Sequence, residues 1–329
     1  MKNNLVKLVI TLSMTIMCFS ARAEYDFQVG GLYYKVISLE DLTCACVDVQ
    51  NGPKIMRTSQ YTGDIIIPSK VTLGERVFTV IEVGENAFLW SSITSIKIPK
   101  SVKVIRKNAF RNCQHLQSVV LEDGVNIIEG TAFANCTELK YVTLSNTLQE
   151  IGSGAFYDCN KLSCQIVIPS SCIFVGARAL PTYSDKYSLR ISDSSSPLKI
   201  NHHGLGTGGR DTLYIGRDLS SNNDYISVTK YKNLIFGDSV TTMPECTKIS
   251  NEVCKIRTLG IGKSITTVPF ILFDIETICI RSSTPPKAEG FLKKNYLNTT
   301  LYVPKGSLRE YQEADVWGDF WTIKEIEMK

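Results

Sequence analysis

Between Ala87 and Leu180 the apolar positions of this chain recur at a fixed interval. Ala87-Phe88, Ala109-Phe110, Ala132-Phe133 and Ala155-Phe156 follow one another at steps of 22, 23 and 23 residues, and Ala179-Leu180 is a weakened fifth copy 24 residues further on. Cys113, Cys136 and Cys159 keep the same phase, as do the triplets Ile93/Ile96/Ile98, Leu116/Val119/Leu121 and Leu139/Val142/Leu144. A fourth triplet, Leu162/Ile166/Ile168, carries one inserted residue, which accounts for the longer last step. A period in the twenties is the mark of a solenoid whose units are single coils.

The pattern within one unit shows why units must stack. Leu-x-x-Val-x-Leu puts alternate apolar side chains on one face of a short strand, and Ile128 or Ile151 with the Ala-Phe pair supplies a second apolar wall about ten residues later. A single coil of this kind encloses almost nothing. Stacked coils place each Leu, Ile, Phe and Cys over its counterpart, with strands about 4.8 Å apart. Gly152 and Gly176 mark a turn that needs positive φ or close approach of two backbones, although Arg106 and Gly130 show the demand is not strict.

The phrase Val/Leu-x-x-Ile-Gly-x-x-Ala-Phe-x-x-Cys-x-x-Leu-x-x-Val-x-Leu, written most clearly over Val83 to Ile168, resembles the BspA-like leucine-rich repeat family. That resemblance implies a β-rich solenoid, a curved right-handed superhelix of leucine-rich repeats, in a secreted or surface protein of the Bacteroidetes type. It also implies a task in adhesion or protein binding, with no particular ligand.

Around the regular repeats at 83–182 the chain divides into further stretches. Strand-like alternation with turns at Asn51-Gly52-Pro53 and Leu73-Gly74-Glu75 fills 24–82, where a cap is needed to cover the apolar end of the first coil. This stretch resembles the small β-hairpin cap of the same family, with Ile65 to Pro68 reading as an imperfect first rung. The apolar period fails over 183–211, which is expected to be an irregular insert. It returns in degenerate form over 212–304, where Leu234 to Pro244 and Leu259 to Pro269 repeat one phrase 25 residues apart. The last stretch, 305–329, predicts a short helical cap: Ser307-Leu-Arg-Glu310 has capping-box spacing, and Tyr311, Trp317, Phe320 and Trp321 supply bulk to seal the final coil. It also resembles the terminal repeat of Bacteroidetes members of the family. A sugar-binding platform is the functional alternative for those aromatics.

Met1 to Ala23 reads as a secretory signal peptide: Lys2 and Lys7, then the apolar run Leu8 to Phe19, then Ala21-Arg22-Ala23. The run is short for a membrane span, Met17 argues against lipid attachment at Cys18, and no later segment is expected to cross a bilayer. Without this peptide, 33 basic residues face 32 acidic ones in no concentrated basic cluster, which disfavours nucleic acid and anionic membrane. The phased cysteines are expected to be a reduced, buried ladder. Cys164/Cys172 and Cys246/Cys254 have separations that permit disulfides, and the choice stays open. With only His115, His202 and His203, and with no phased acids or nucleophiles, neither a metal, a cofactor nor catalysis is expected. The run Gly204 to Gly209 precedes a strand instead of following one, which is the wrong order for a phosphate loop.

What repeats is a surface. Ser95/Lys97, Ser118/Val120, Tyr141/Thr143 and Gln165/Val167 alternate with the inward residues of successive strands and are expected to align as one sheet face. The expected function is an exported, non-enzymatic binding or adhesion module that recognises a protein ligand of a host or cell surface through this face. The alternative is an envelope scaffold that binds glycan.

Overall fold

The computed structural model describes residues 25–48, 61–181, 187–201, 203–205, 210–221, 231–244 and 255–327. The expected signal peptide, the Asn51-Gly52-Pro53 turn, His202, Gly206 to Gly209 and the Cys246/Cys254 pair lie outside these residues.

The chain is a β-rich solenoid with two walls of parallel strands. One wall, the open sheet, begins with Thr62–Ile66, Ser92–Ile98, Ser118–Leu121 and Tyr141–Thr143. It continues from Gln165–Ile168 through Ser188–Ile191, Arg210–Ile215, Tyr231–Phe236, Lys255–Ile261, Asp274–Ile280 and Thr300–Pro304 to Thr322–Ile326. The opposite wall stacks Arg76–Val83, Val104–Ile105, Ile127–Ile128, Glu150–Ile151, Phe174–Val175, Leu198–Ile200 and Leu219–Ser221. An antiparallel meander, Phe27–Val29, Leu32–Ser38 and Thr43–Val47, covers the first coil and passes its hydrogen bonds to Arg76–Val83.

The open sheet breaks into four and eight strands at the inserted residue seen in the sequence. There the Cys164 thiol, 3.4 Å from the Val142 nitrogen, takes the N–H that a strand carbonyl would otherwise receive. Ser163 still donates to the Lys140 carbonyl at 3.1 Å, so the coils remain linked across the gap.

The Ala-Phe turns form a third wall that is hydrogen-bonded from coil to coil without being strands. Phe88, Phe110, Phe133 and Phe156 donate to the carbonyls of Ala109, Ala132, Ala155 and Ala179 at 2.7 to 2.8 Å. The turn requires left-handed backbone on either side of the pair, at Asn86 and Trp90, Asn108 and Asn112, Thr131 and Asn135, and at Asp158. Asparagine tolerates that conformation better than most residues, and its side chain adds a ladder: Asn135 Nδ2 donates to Asn112 Oδ1 at 2.7 Å. Gly152 and Gly176 meet the other requirement, close approach, since a Cβ there would fall 2.5 Å from the Gly130 nitrogen and 2.4 Å from the Ser153 nitrogen. Neither has positive φ.

Inside, Phe88, Phe110, Phe133 and Phe156 stack with ring centroids 4.9, 4.9 and 5.1 Å apart and nearly parallel planes. Each phased cysteine is buried and also does polar work: Cys113, Cys136 and Cys159 donate to the carbonyls of Phe88, Phe110 and Phe133 at 3.0 to 3.1 Å. These three, with Cys44, Cys46, Cys164 and Cys172, are free thiols.

Three expectations need correction. The stretch read as an irregular insert holds a regular coil in its described part, with Ser188–Ile191 and Leu198–Ile200 in register with both neighbours. Tyr187, Leu189 and Ile191 point inward there, but the Ala-Phe and Cys signals are missing. Arg217, wholly buried, helps to hold this region by donating to the carbonyls of Pro169 and Ser170, two coils back. At the end of the chain the helix Leu308–Glu313 forms without a capping box. The Ser307 hydroxyl donates to the Pro304 carbonyl, and Glu325 from the last strand accepts from the Gly306 and Leu308 N–H groups instead. Finally, Tyr311, Trp317 and Phe320 are buried as a seal, whereas Trp321 is 82% exposed.

Two outcomes follow from this packing. Phe133→Ala removes the centre of the ring stack and is expected to cost about 3 to 5 kcal/mol in a denaturant melt, against less than about 0.5 kcal/mol for Tyr141→Ala. Burial holds the Cys136 thiol well above its ordinary range, so it stays protonated and unreactive. Because all three are buried out of reach of reagent, Cys113, Cys136 and Cys159 are expected to resist maleimide labelling in the native protein and to react once it is unfolded, which mass spectrometry would read.

Candidate binding face

The outward positions of the open sheet are set by the inward ones, because strand side chains alternate. Ile96, Val119 and Val142 pack into the core, so Ser95, Ser118 and Tyr141 pair in register on the outside, and Lys97, Val120 and Thr143 form a second column. Gln165 and Val167 lie beyond the break and flank inward Ile166 in the same way, with Ser188 and Arg190 as their in-register neighbours. All eight residues expected on this face are thus placed on it. Lys97, Val120, Tyr141, Thr143, Gln165 and Val167 are exposed, while Ser95 and Ser118 are half-buried.

Ile66, 71% exposed, heads the Lys97 column and was not apparent from the sequence. It lies in the Ile65 to Pro68 stretch, where three isoleucines in a row hide the alternation. A groove of about 300 Å³ opens beside it, between the Gly30-Gly31 turn of the cap and Thr62, Asp64 and Ile66 of the first rung. Asp64 is tied down by hydroxyl donors, Ser95 at 2.6 Å and Thr94 at 2.7 Å, and these bonds hold its carboxyl below the usual range. Lys97 pairs with Glu122 at 2.8 Å. The apolar members Ile66, Val120, Tyr141 and Val167 thus share the face with Asp64 and Lys97, whose charges are already partnered.

Further along, Arg190 lies 3.9 Å from the centre of the Tyr214 ring and pairs with Asp193 at 2.9 Å, while the Tyr214 hydroxyl donates to Asp193 at 2.8 Å. This unit belongs to the coil that lacks the Ala-Phe signal, and its members are brought together only by the register of Ser188–Ile191 with Arg210–Ile215. Four outward threonines in the second half, Thr258, Thr277, Thr300 and Thr322, share one phase. The signal for them was available in Arg-Thr-Leu, Glu-Thr-Ile, Thr-Thr-Leu and Trp-Thr-Ile, each a threonine just before an inward aliphatic residue. Among the described residues, no group of three or more His, Cys, Asp or Glu side chains is placed to hold a metal ion.

Because the folded pKa of Asp64 is lowered, its contribution is complete at neutral pH and is lost as pH falls through that folded value. In a carboxyl NMR titration Asp64 is expected to titrate below about 3.9, the ordinary aspartate value, and Ser95→Ala is expected to move the midpoint back up.

Residues 79–200 match the description BspA type leucine rich repeat region, in 6 copies. Among solved structures, the chain is similar to a leucine rich cell surface protein from Faecalibacterium prausnitzii, with 16% identity over 94% of this chain and 96% of that one and a TM-score of 0.45. It is also similar to the leucine rich repeat protein of T. pallidum, with 21% identity over 64% and 85% of the two chains and a TM-score of 0.44. A leucine-rich repeat protein from Bacteroides capillosus matches at 22% identity over 50% and 98%, with a TM-score of 0.33. No curated protein matches the chain.

Proposed function

We propose, for a chain whose residues 79–200 are a BspA-type leucine-rich repeat region, that the open sheet of the regular coils is a protein-binding face of an exported adhesion or recognition module. The observation that supports this most is the set of exposed apolar residues on one face of successive coils, with Ile66, Val120 and Tyr141 on strands of the first sheet and Val167 on the strand just beyond its break. Apolar residues scattered singly over a surface are ordinary, but aromatic and aliphatic groups gathered on one preorganised face, with Asp64 and Lys97 on that face already partnered, suit the centre of an interface. A rigid face also loses little entropy on association. The signal-like pattern of Met1 to Ala23 agrees with a protein partner met outside the cell, of a host or of a neighbouring cell surface.

The test is capture. Residues 24–329 immobilised on beads are expected to retain a specific protein from extracellular-matrix or mucosal-surface extract. Tyr141→Ala, which leaves the melt unchanged, is expected to weaken that capture at least tenfold, about 1.4 kcal/mol, because exposed aromatics carry a large share of interface energy. Normal capture by a folded Tyr141→Ala, Val120→Ala double variant would remove this face as the site.

A further inference from the structure

The second half of the open sheet differs from the first. From Lys255–Ile261 to Thr322–Ile326, Thr258, Thr277, Thr300 and Thr322 pair in register, one threonine per rung on four successive strands. All four are half-buried on the outer side of the sheet, beside inward Leu259, Ile278, Leu301 and Ile323. Among the described residues none of their hydroxyls has a side-chain hydrogen-bond partner. This is unlike neighbouring Thr299, which is buried and donates to the Ile275 carbonyl at 2.6 Å. A row of unused hydroxyls at the strand spacing of about 4.8 Å is a repeating set of donors and acceptors with no internal purpose.

A second, independent feature adjoins the row. Trp321 precedes Thr322 directly and is 82% exposed, while Phe320 turns inward to the aromatic seal. Its backbone N–H donates to the Tyr296 carbonyl at 2.8 Å, which fixes the main chain of Trp321 beside the helix Lys293–Asn298. A tryptophan needed only as a seal would be covered, as Trp317 is, with its indole N–H donated to the Pro286 carbonyl at 2.6 Å. On the other flank the column Gly260, Cys279, Tyr302 runs parallel to the threonines, with a low floor at Gly260 and a phenol at Tyr302.

The charges near the row are largely spent within the protein. Lys255 pairs with Glu276 at 2.9 Å, and Lys294 pairs with Asp274. Arg257 and Lys324 flank the row and make no ion pair among the described residues. A ligand suited to this surface has many hydroxyls, apolar C–H faces for an indole, little charge, and a repeat near the spacing of the rungs.

We propose that the ridge Thr258–Thr277–Thr300–Thr322, ending at Trp321, is a binding site for an extended neutral polysaccharide that runs along the solenoid axis, separate from the protein-binding face of the first half. The threonine hydroxyls exchange hydrogen bonds with successive sugars, and Trp321 stacks on the face of one of them. Each contact is modest, so affinity comes from several sugars bound at once.

The experiment is affinity electrophoresis of residues 24–329 through gels containing yeast mannan, barley β-glucan, birchwood xylan or, as the acidic comparison, alginate. At least one neutral polymer is expected to retard the protein. Trp321→Ala and the triple variant Thr258→Val, Thr277→Val, Thr300→Val are each expected to weaken retardation at least tenfold. Valine keeps the β-branched shape and Trp321 is exposed, so both variants are expected to melt like the parent. Tyr141→Ala is expected to be retarded like the parent, so failure of the protein-binding reading leaves this result unaffected. The proposal is overturned by the absence of retardation in every neutral gel, or by neutral-polymer binding that survives both variants. It is also overturned by retardation in alginate alone that disappears at 0.5 M salt, which would assign the surface to Arg257 and Lys324.

Discussion

A coil of this chain cannot exist by itself, because each of its three walls finds its hydrogen-bond partners in the next coil. The strands of the open sheet, the two-residue strands of the opposite wall and the Ala-Phe turns all donate and accept along the solenoid axis. Side chains follow the same rule, with Phe110 and Phe156 enclosing Phe133 from either side and each cysteine thiol meeting the Phe carbonyl of the coil before it. Nearest-neighbour dependence of this kind makes the ends costly, and both are closed by special structures. The meander from Phe27 to Val47 covers one, and Tyr311, Trp317 and Phe320 cover the other.

This axial dependence is also what makes a surface out of single residues. Once Ile96, Val119 and Val142 are stacked, the positions of Ser95, Ser118 and Tyr141 have no freedom left at the level of the backbone. A change on the outside leaves the stack alone, so the face is free to vary while the scaffold stays constant. The first half carries Val120, Tyr141 and Val167 there, and the second half carries threonines and Trp321. One sheet thereby presents two surfaces of different chemistry. The break at Cys164 falls between Tyr141 and Val167, within the first of these surfaces, and changes the hydrogen-bonding of the sheet without opening the core, since Leu162 and Ile166 remain buried on either side.

Polar groups that bridge the coils follow the same economy. Asn112 and Asn135 supply left-handed backbone and a side-chain ladder at one position each. Arg106 joins three coils, with a bidentate pair to Glu82 and a third bond to Glu129. Arg217 answers the carbonyls of a corner two coils away. In each case a polar group spans from one coil to another, which fixes how the coils sit over one another as well as how each one turns.

Much of this was legible in the amino-acid sequence, for a local reason. Inward and outward positions alternate over two residues, and repeated copies make the alternation visible, so the solenoid, the buried Phe and Cys columns and the eight outward residues from Ser95 to Val167 could be read directly. Other features depend on neighbours some 23 residues away, where one copy carries no signal. The coil at 187–201 keeps its inward Leu189 and Ile191 but lacks Ala-Phe, and only pairing with Gln165–Ile168 and Arg210–Ile215 reveals it. The spacing Ser307 to Glu310 suggests a capping box, yet Glu325, fifteen residues beyond Glu310, reaches the helix first because the last strand runs alongside. Trp317 and Trp321 are equal as residues, and it is the inward turn of Phe320 between them that buries one and exposes the other. Side-chain chemistry and period are properties of the chain, whereas the choice of partner and the direction of a side chain at a turn are settled only when coils meet.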